Sequence, residues 1–73
     1  MERRDHTLEM QQLRHFCAVV DHGQIAAAAR AIAMTQPALS RSIRNLESNL
    51  GYTLLERNAK GVTLTAYGEI FLE

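Results

Sequence analysis

His15 and His22 stand seven residues apart, with Asp21 beside His22 and Cys17 between them. Along a helix seven residues span about 10 Å, too far for two imidazoles to share a metal without a third element. No metal site is expected. Asp21-His22 could in principle activate a distant serine, but the pair runs into Gly23, a helix-ending residue, and nothing supplies an oxyanion hole. Neither catalysis nor a cofactor is expected, and Cys17, at helical spacing from Leu13 and Val20, reads as a small core residue. A different chemistry is offered further on by Thr35, Gln36, Pro37, Ser40, Arg41 and Arg44, followed by Arg57 and Lys60. Amides, hydroxyls and cations of this kind can hold a partner rather than react with it. A Gln amide can pair with adenine N6 and N7, an Arg fork can take guanine O6 and N7 or a phosphate, and a Lys suits the negative potential of a narrow groove.

The elements that must position these groups follow from the periodicity. Residues 1–9 are polar and without sustained period, which predicts a flexible lead-in. Met10, Leu13, Phe16, Cys17 and Val20 form one helical face that stops at Gly23. The alanine-rich stretch from Gln24 to Met34 predicts a short second helix with Ile25, Ala28, Ala29 and Ile32 on its inner stripe. Thr35 is a good N-cap and Pro37 is tolerated in a first turn, so a third helix starts there. Leu39, Ile43, Leu46 and Leu50 form its buried stripe, and Gly51 ends it. At about 100° per residue, Gln36, Pro37, Ser40, Arg41, Arg44 and Ser48 fall on the neighbouring arc, which the core does not need. Leu55 to Leu64, with the turn-like Asn58-Ala59-Lys60-Gly61, reads as a two-stranded wing. Thr65 can cap a fourth helix carrying Tyr67, Ile70 and Phe71.

The expected fold is therefore mainly all-α: a winged helix-turn-helix over residues 10–64, then the start of a linker helix over residues 65–73. Seventy-three residues allow one small module. With four aromatic residues and no Trp, its core must be aliphatic, and so short a chain leaves little apolar area to line a deep pocket. Net charge is zero, but residues 30–61 hold five basic and two acidic residues, so the middle of the chain is its positive part. A single cysteine, no signal-peptide pattern and no membrane-length apolar run predict a cytoplasmic protein without membrane contact. Periodicity leaves two partners open for the third-helix arc, double-stranded DNA or another protein.

The residues also resemble a known family. Leu13-Arg14-His15-Phe16, Asp21-His22-Gly23, the run from Thr35 to Ile43, Leu46-Glu47, Leu50-Gly51, Leu55-Glu56-Arg57 and Leu64-Thr65 are similar to the N-terminal DNA-binding domain of LysR-type bacterial transcriptional regulators, in register from residue 10 to the end. The resemblance implies a third helix of about residues 35–50 in the major groove, a wing of about 55–64 at the minor groove, and a fourth helix that pairs two subunits. By position, Gln36 and Pro37 would meet bases at the start of the recognition helix with the capping Thr35 also counted to the DNA-binding set, Ser40 and Arg41 would face bases or phosphates, and Arg57 and Lys60 would meet backbone and minor groove. Arg44 remains open between DNA and an ion pair with Glu47 three residues on. Tyr67, Gly68, Ile70 and Phe71 would form the dimer interface, with Gly68 allowing a partner helix close. The implied partners are a pseudo-palindromic operator at the nucleoid and a second copy, with higher oligomers in a full-length protein. Any small-molecule inducer would act through a sensor domain that these residues do not contain, so the chain is expected to be a fragment or a stand-alone truncation. One departure is notable: Gln24, Ile25, Ala26 and Ala27 replace the usual Ser-Phe-Thr opening of the second helix, which puts its backbone contacts in question.

Overall fold

The computed structural model describes the backbone of residues 2–72 and the side chains of residues 10–72. Its elements run α1 (Glu2–His22), α2 (Ile25–Ala31), α3 (Gln36–Leu50), β1 (Leu55–Asn58), β2 (Gly61–Leu64) and α4 (Ala66–Leu72). Each boundary of α3 has a local cause. The Thr35 hydroxyl accepts from the Ala38 N–H at 3.2 Å, which satisfies one of the orphan donors of the first turn, and Pro37 occupies that same turn. The stripe Leu39, Ile43 and Leu46 then meets Phe16 and Val19 of α1, Ala28 and Ala29 of α2, and Leu54 and Leu55 of the wing in one core. Small side chains on α2 let it pack closely against both longer helices.

The strands pair antiparallel with Leu55 opposite Leu64 and Asn58 opposite Gly61. This hairpin does not stand alone. The Val62 N–H donates to the Gly23 carbonyl at 3.0 Å, and a Cβ on Gly61 would collide with that same carbonyl, so only glycine permits the approach. At its base, Glu47 reaches out of α3 and accepts from the N–H groups of both Leu54 (2.8 Å) and Leu55 (3.1 Å). These two bonds give a charged acceptor to donors that would otherwise be buried with the core. Glu47→Gln keeps a neutral acceptor and is expected to cost about 1 to 2 kcal/mol in chemical denaturation, whereas an unchanged urea midpoint would show the bonds to be incidental.

Two expectations need correction. Residues 2–9, read from sequence as a flexible lead-in, continue α1 as helix; Met1 and Glu73 lie outside the described residues. Good helix formers such as Glu, Arg and Leu extend a helix that is already nucleated, without an apolar period of their own. The second correction concerns the face of α1. Cys17 is exposed, as are Met10 (58%) and Leu13 (39%), while Gln12, Phe16 and Val19 point inward. Phe16 belongs to two possible stripes, and the core takes the one that ends on Val19. Gln12 is tolerated there because its Oε1 accepts from Asn49 Nδ2 at 3.5 Å.

Candidate nucleic-acid interface

The Thr35 cap fixes where α3 begins, and the buried Leu39, Ile43 and Leu46 fix its rotation. The arc a third of a turn away is thereby turned outward. Thr35, Gln36, Pro37, Arg41 and Arg44 are exposed and Ser40 is half-buried. Glu47, three residues beyond Arg44, turns its Oε2 to the wing base.

The wing side of the arc is tied to α3 directly. Arg57 Nη2 donates to Ser40 Oγ at 3.2 Å, which brings the guanidinium of β1 onto the N-terminal third of α3. Lys60 occupies the exposed hairpin tip, where its N–H donates to Asn58 Oδ1 at 3.0 Å and fixes the turn. Six of the eight residues singled out from sequence, Thr35 to Arg44 along α3, therefore form one continuous face. Arg57 extends it, and Lys60 stands apart at the tip.

Three contacts at this face were not legible in the sequence. Ser40 and Arg57 are seventeen residues apart, and no local pattern announces their bond. Gln24 donates through Nε2 to the Lys60 carbonyl at 3.4 Å, so the residue at which the second helix departs from its expected opening helps hold the wing tip. On the opposite flank, His15 Nδ1 and Ser42 Oγ share a hydrogen bond of 2.6 Å between α1 and α3. Burial, and after it the nearby Arg14 guanidinium, lowers the His15 pKa below its ordinary value of 6.5.

The four α4 residues assigned to a subunit interface divide. Tyr67 (57% exposed) and Ile70 (66% exposed) face solvent, together with Leu72. Gly68 is buried against its own chain, because a Cβ there would collide with the Leu54 carbonyl and come within 2.9 Å of Leu64 Cδ2. Phe71 turns onto the core and meets Phe16 edge-to-face at 5.6 Å between centroids. Gly68 thus allows the close approach of the wing base. Tyr67 stacks on Tyr52 at 4.8 Å, which steadies the direction in which α4 leaves the domain.

Comparison with known proteins places this architecture. Residues 10–69 match the family described as bacterial regulatory helix-turn-helix protein, lysR family. The chain is 52% identical over 65 residues to the SDS degradation transcriptional activation protein of Pseudomonas sp. (strain ATCC 19151), covering 89% of this chain and 21% of that protein. It is 48% identical over 65 residues to the HTH-type transcriptional regulator AlsR of Bacillus subtilis (strain 168), covering 89% of this chain and 22% of the other. The chain therefore spans about a fifth of the length of these curated relatives. Among solved structures, the CbnR_DBD–DNA complex superposes with a TM-score of 0.81 at 45% identity, covering 85% of this chain and 71% of that one. The BenM_DBD complex with catB site 1 DNA gives 0.80 at 44% identity, covering 84% and 68%. Family match and superposed fold agree with the capped α3, its outward polar arc and the tethered wing: the chain belongs to the lysR family of bacterial regulatory helix-turn-helix proteins.

Proposed function

We propose that these 73 residues are the sequence-specific DNA-binding module of a LysR-type transcriptional regulator, a binding domain and not an enzyme, working in the cytoplasm at the nucleoid. The observation that carries this reading is the outward polar arc of Gln36, Ser40, Arg41 and Arg44 on α3, joined to the wing by the Arg57–Ser40 bond. In this reading α3 enters the major groove of double-stranded DNA, with Gln36 and Pro37 leading and Arg41 at a base or phosphate. Arg57 lies on the backbone and Lys60 reaches the minor groove. The large apolar side chains that are exposed among the described residues lie on α1, on α4 and at Tyr52, away from the α3 arc. That distribution favours DNA over a protein partner for the arc. Among the described residues no helix is long and apolar enough to cross a membrane. Regulation by a small molecule would act through a domain outside these residues.

A gel shift at low salt against mixed duplex tests the class, and selection from a random duplex library then identifies the operator. Retarded complexes that dissolve steeply with added salt are expected, and no complex at low salt would overturn the reading. Lys60→Ala should weaken binding and reduce the salt slope by about one, since one phosphate-like contact releases about one counterion. An unchanged slope would show Lys60 to be a solvated turn residue.

Dimerisation through α4 is part of the same proposal, now resting on Tyr67 and Ile70. Seven helical residues are too few for a strong pairing, so the isolated chain should sediment as a monomer at micromolar concentration and pair on palindromic DNA. Ile70→Asp should abolish that pairing. A dimer that survives it would place the interface elsewhere, with the exposed Met10, Leu13 and Cys17 of α1 next in line.

A further inference from the structure

We propose that the crevice between α1 and α3 seats one backbone phosphate of bound DNA, with His15 and Gln11 supplying a contact from α1 beside Arg41. This inference rests on the DNA-binding reading and adds to it an element, α1, to which the sequence assigned no contact. The crevice has a volume of about 230 Å³, and Arg41, Ser42 and Asn45 line it from α3. Arg41 is exposed at its rim on the same arc that carries Gln36 and Ser40, so a duplex lying on the arc passes the mouth of the crevice.

Its chemistry suits an anion. Among the described residues, every polar side chain lining it is an amide, a hydroxyl, an imidazole or a guanidinium, and no carboxylate is among them. The Ser42 bond fixes the imidazole through Nδ1; when the hydroxyl donates, the ring proton sits on Nε2, where it is a donor to an incoming oxygen. Among the described residues, the charged neighbours of His15 are Arg14 on its own helix and Arg41 from α3. Gln11, Gln12, Ala38, Ser42 and Asn45 are neutral. Burial, and after it Arg14, holds its pKa below the usual 6.5, which favours the neutral ring in the free protein.

A phosphate in the crevice reverses that field and favours the imidazolium. The complex then holds one more proton than the free protein, so affinity rises as pH falls through the interval between the bound and free pKa values. Free-protein stability has the opposite sign. A histidine with a depressed folded-state pKa contributes stability that is full above the unfolded value and is lost as pH falls through the folded one. A merely structural His15 would therefore weaken binding in acid, while a phosphate-contacting His15 strengthens it.

The test is fluorescence anisotropy of the 73-residue chain on a labelled duplex selected from the random library, between about pH 7.5 and 5.5, with folding followed by circular dichroism. The unaltered chain should bind about three- to tenfold more tightly at the acid end, as expected when the bound pKa lies above the free one, with a salt slope steeper by about one. His15→Gln should remove that rise, as should His15→Asn if the first variant folds poorly, while His6→Gln and His22→Gln retain it. Gln11→Ala should weaken binding at every pH. A rise that survives both His15 variants, or weaker binding in acid by a chain that is still folded, would overturn the phosphate seat while leaving the DNA-binding reading intact. Absence of binding by the unaltered chain at any pH would overturn both.

Discussion

Arg41→Ala and Gln36→Ala should each weaken binding to the selected operator by roughly 1 to 3 kcal/mol, far more than they weaken binding to random duplex. The expectation follows from how α3 is held. Its start is capped by Thr35 and its inner stripe is buried against α1 and α2, so neither exposed side chain is needed for the fold. What they lose on truncation is contact with a partner. A bidentate fork on a base edge discriminates among base pairs, whereas a contact to phosphate contributes equally to every sequence. Competition binding of both variants against operator and random duplex, with melting temperatures as the control on folding, measures the difference. Equal losses on the two duplexes would make Gln36 and Arg41 backbone contacts, and recognition would then have to come from the wing or from deformation of the DNA.

The parts of this face that sequence predicts well share one physical property: their determinants are local. Thr35, Pro37, the stripe Leu39-Ile43-Leu46 and Gly51 lie within one helix and its ends, and Asn58 to Gly61 form a turn of contiguous residues. The failures are all choices between alternatives that only the packed molecule decides. Phe16 could have been buried together with Cys17 or with Val19, and the winning face contains a polar Gln12 that obscures its period. Tyr67, Ile70 and Phe71 share an apolar helical segment, but whether each meets its own core or a second copy depends on Phe16 and Leu54, far away in sequence. Ser40–Arg57, Gln24–Lys60 and His15–Ser42 are likewise side-chain pairings across elements. The recognition helix is thus readable from the sequence, and the contacts that orient its surroundings are not.

Gly68→Val is expected to be the most damaging single substitution outside the apolar core. The first turn of α4 is fastened to the segment that enters the wing: the Thr65 N–H donates to the Leu54 carbonyl at 2.9 Å and the Thr65 hydroxyl to the Thr53 carbonyl at 2.7 Å. The Gly68 N–H in turn donates to that hydroxyl at 3.0 Å. These bonds press the Gly68 backbone against the Leu54 carbonyl so closely that a single Cβ collides with it, and a carbonyl is not the movable end of a flexible side chain. Either α4 lifts off, or Leu54, which is fully buried, moves out of the core. Lifting α4 also breaks the Phe16–Phe71 and Tyr52–Tyr67 contacts and exposes the core below Phe71. Overpacking against backbone of this kind costs about 3 kcal/mol or more, a large share of the roughly 4 to 10 kcal/mol available to a domain of this size. Thermal unfolding should fall by more than about 10 °C for Gly68→Val and by less for Gly68→Ala, because valine adds two further methyl groups to the same collision. If instead both variants melt like the unaltered chain yet fail to pair on palindromic DNA, Gly68 belongs to the subunit interface and α4 packs differently in solution.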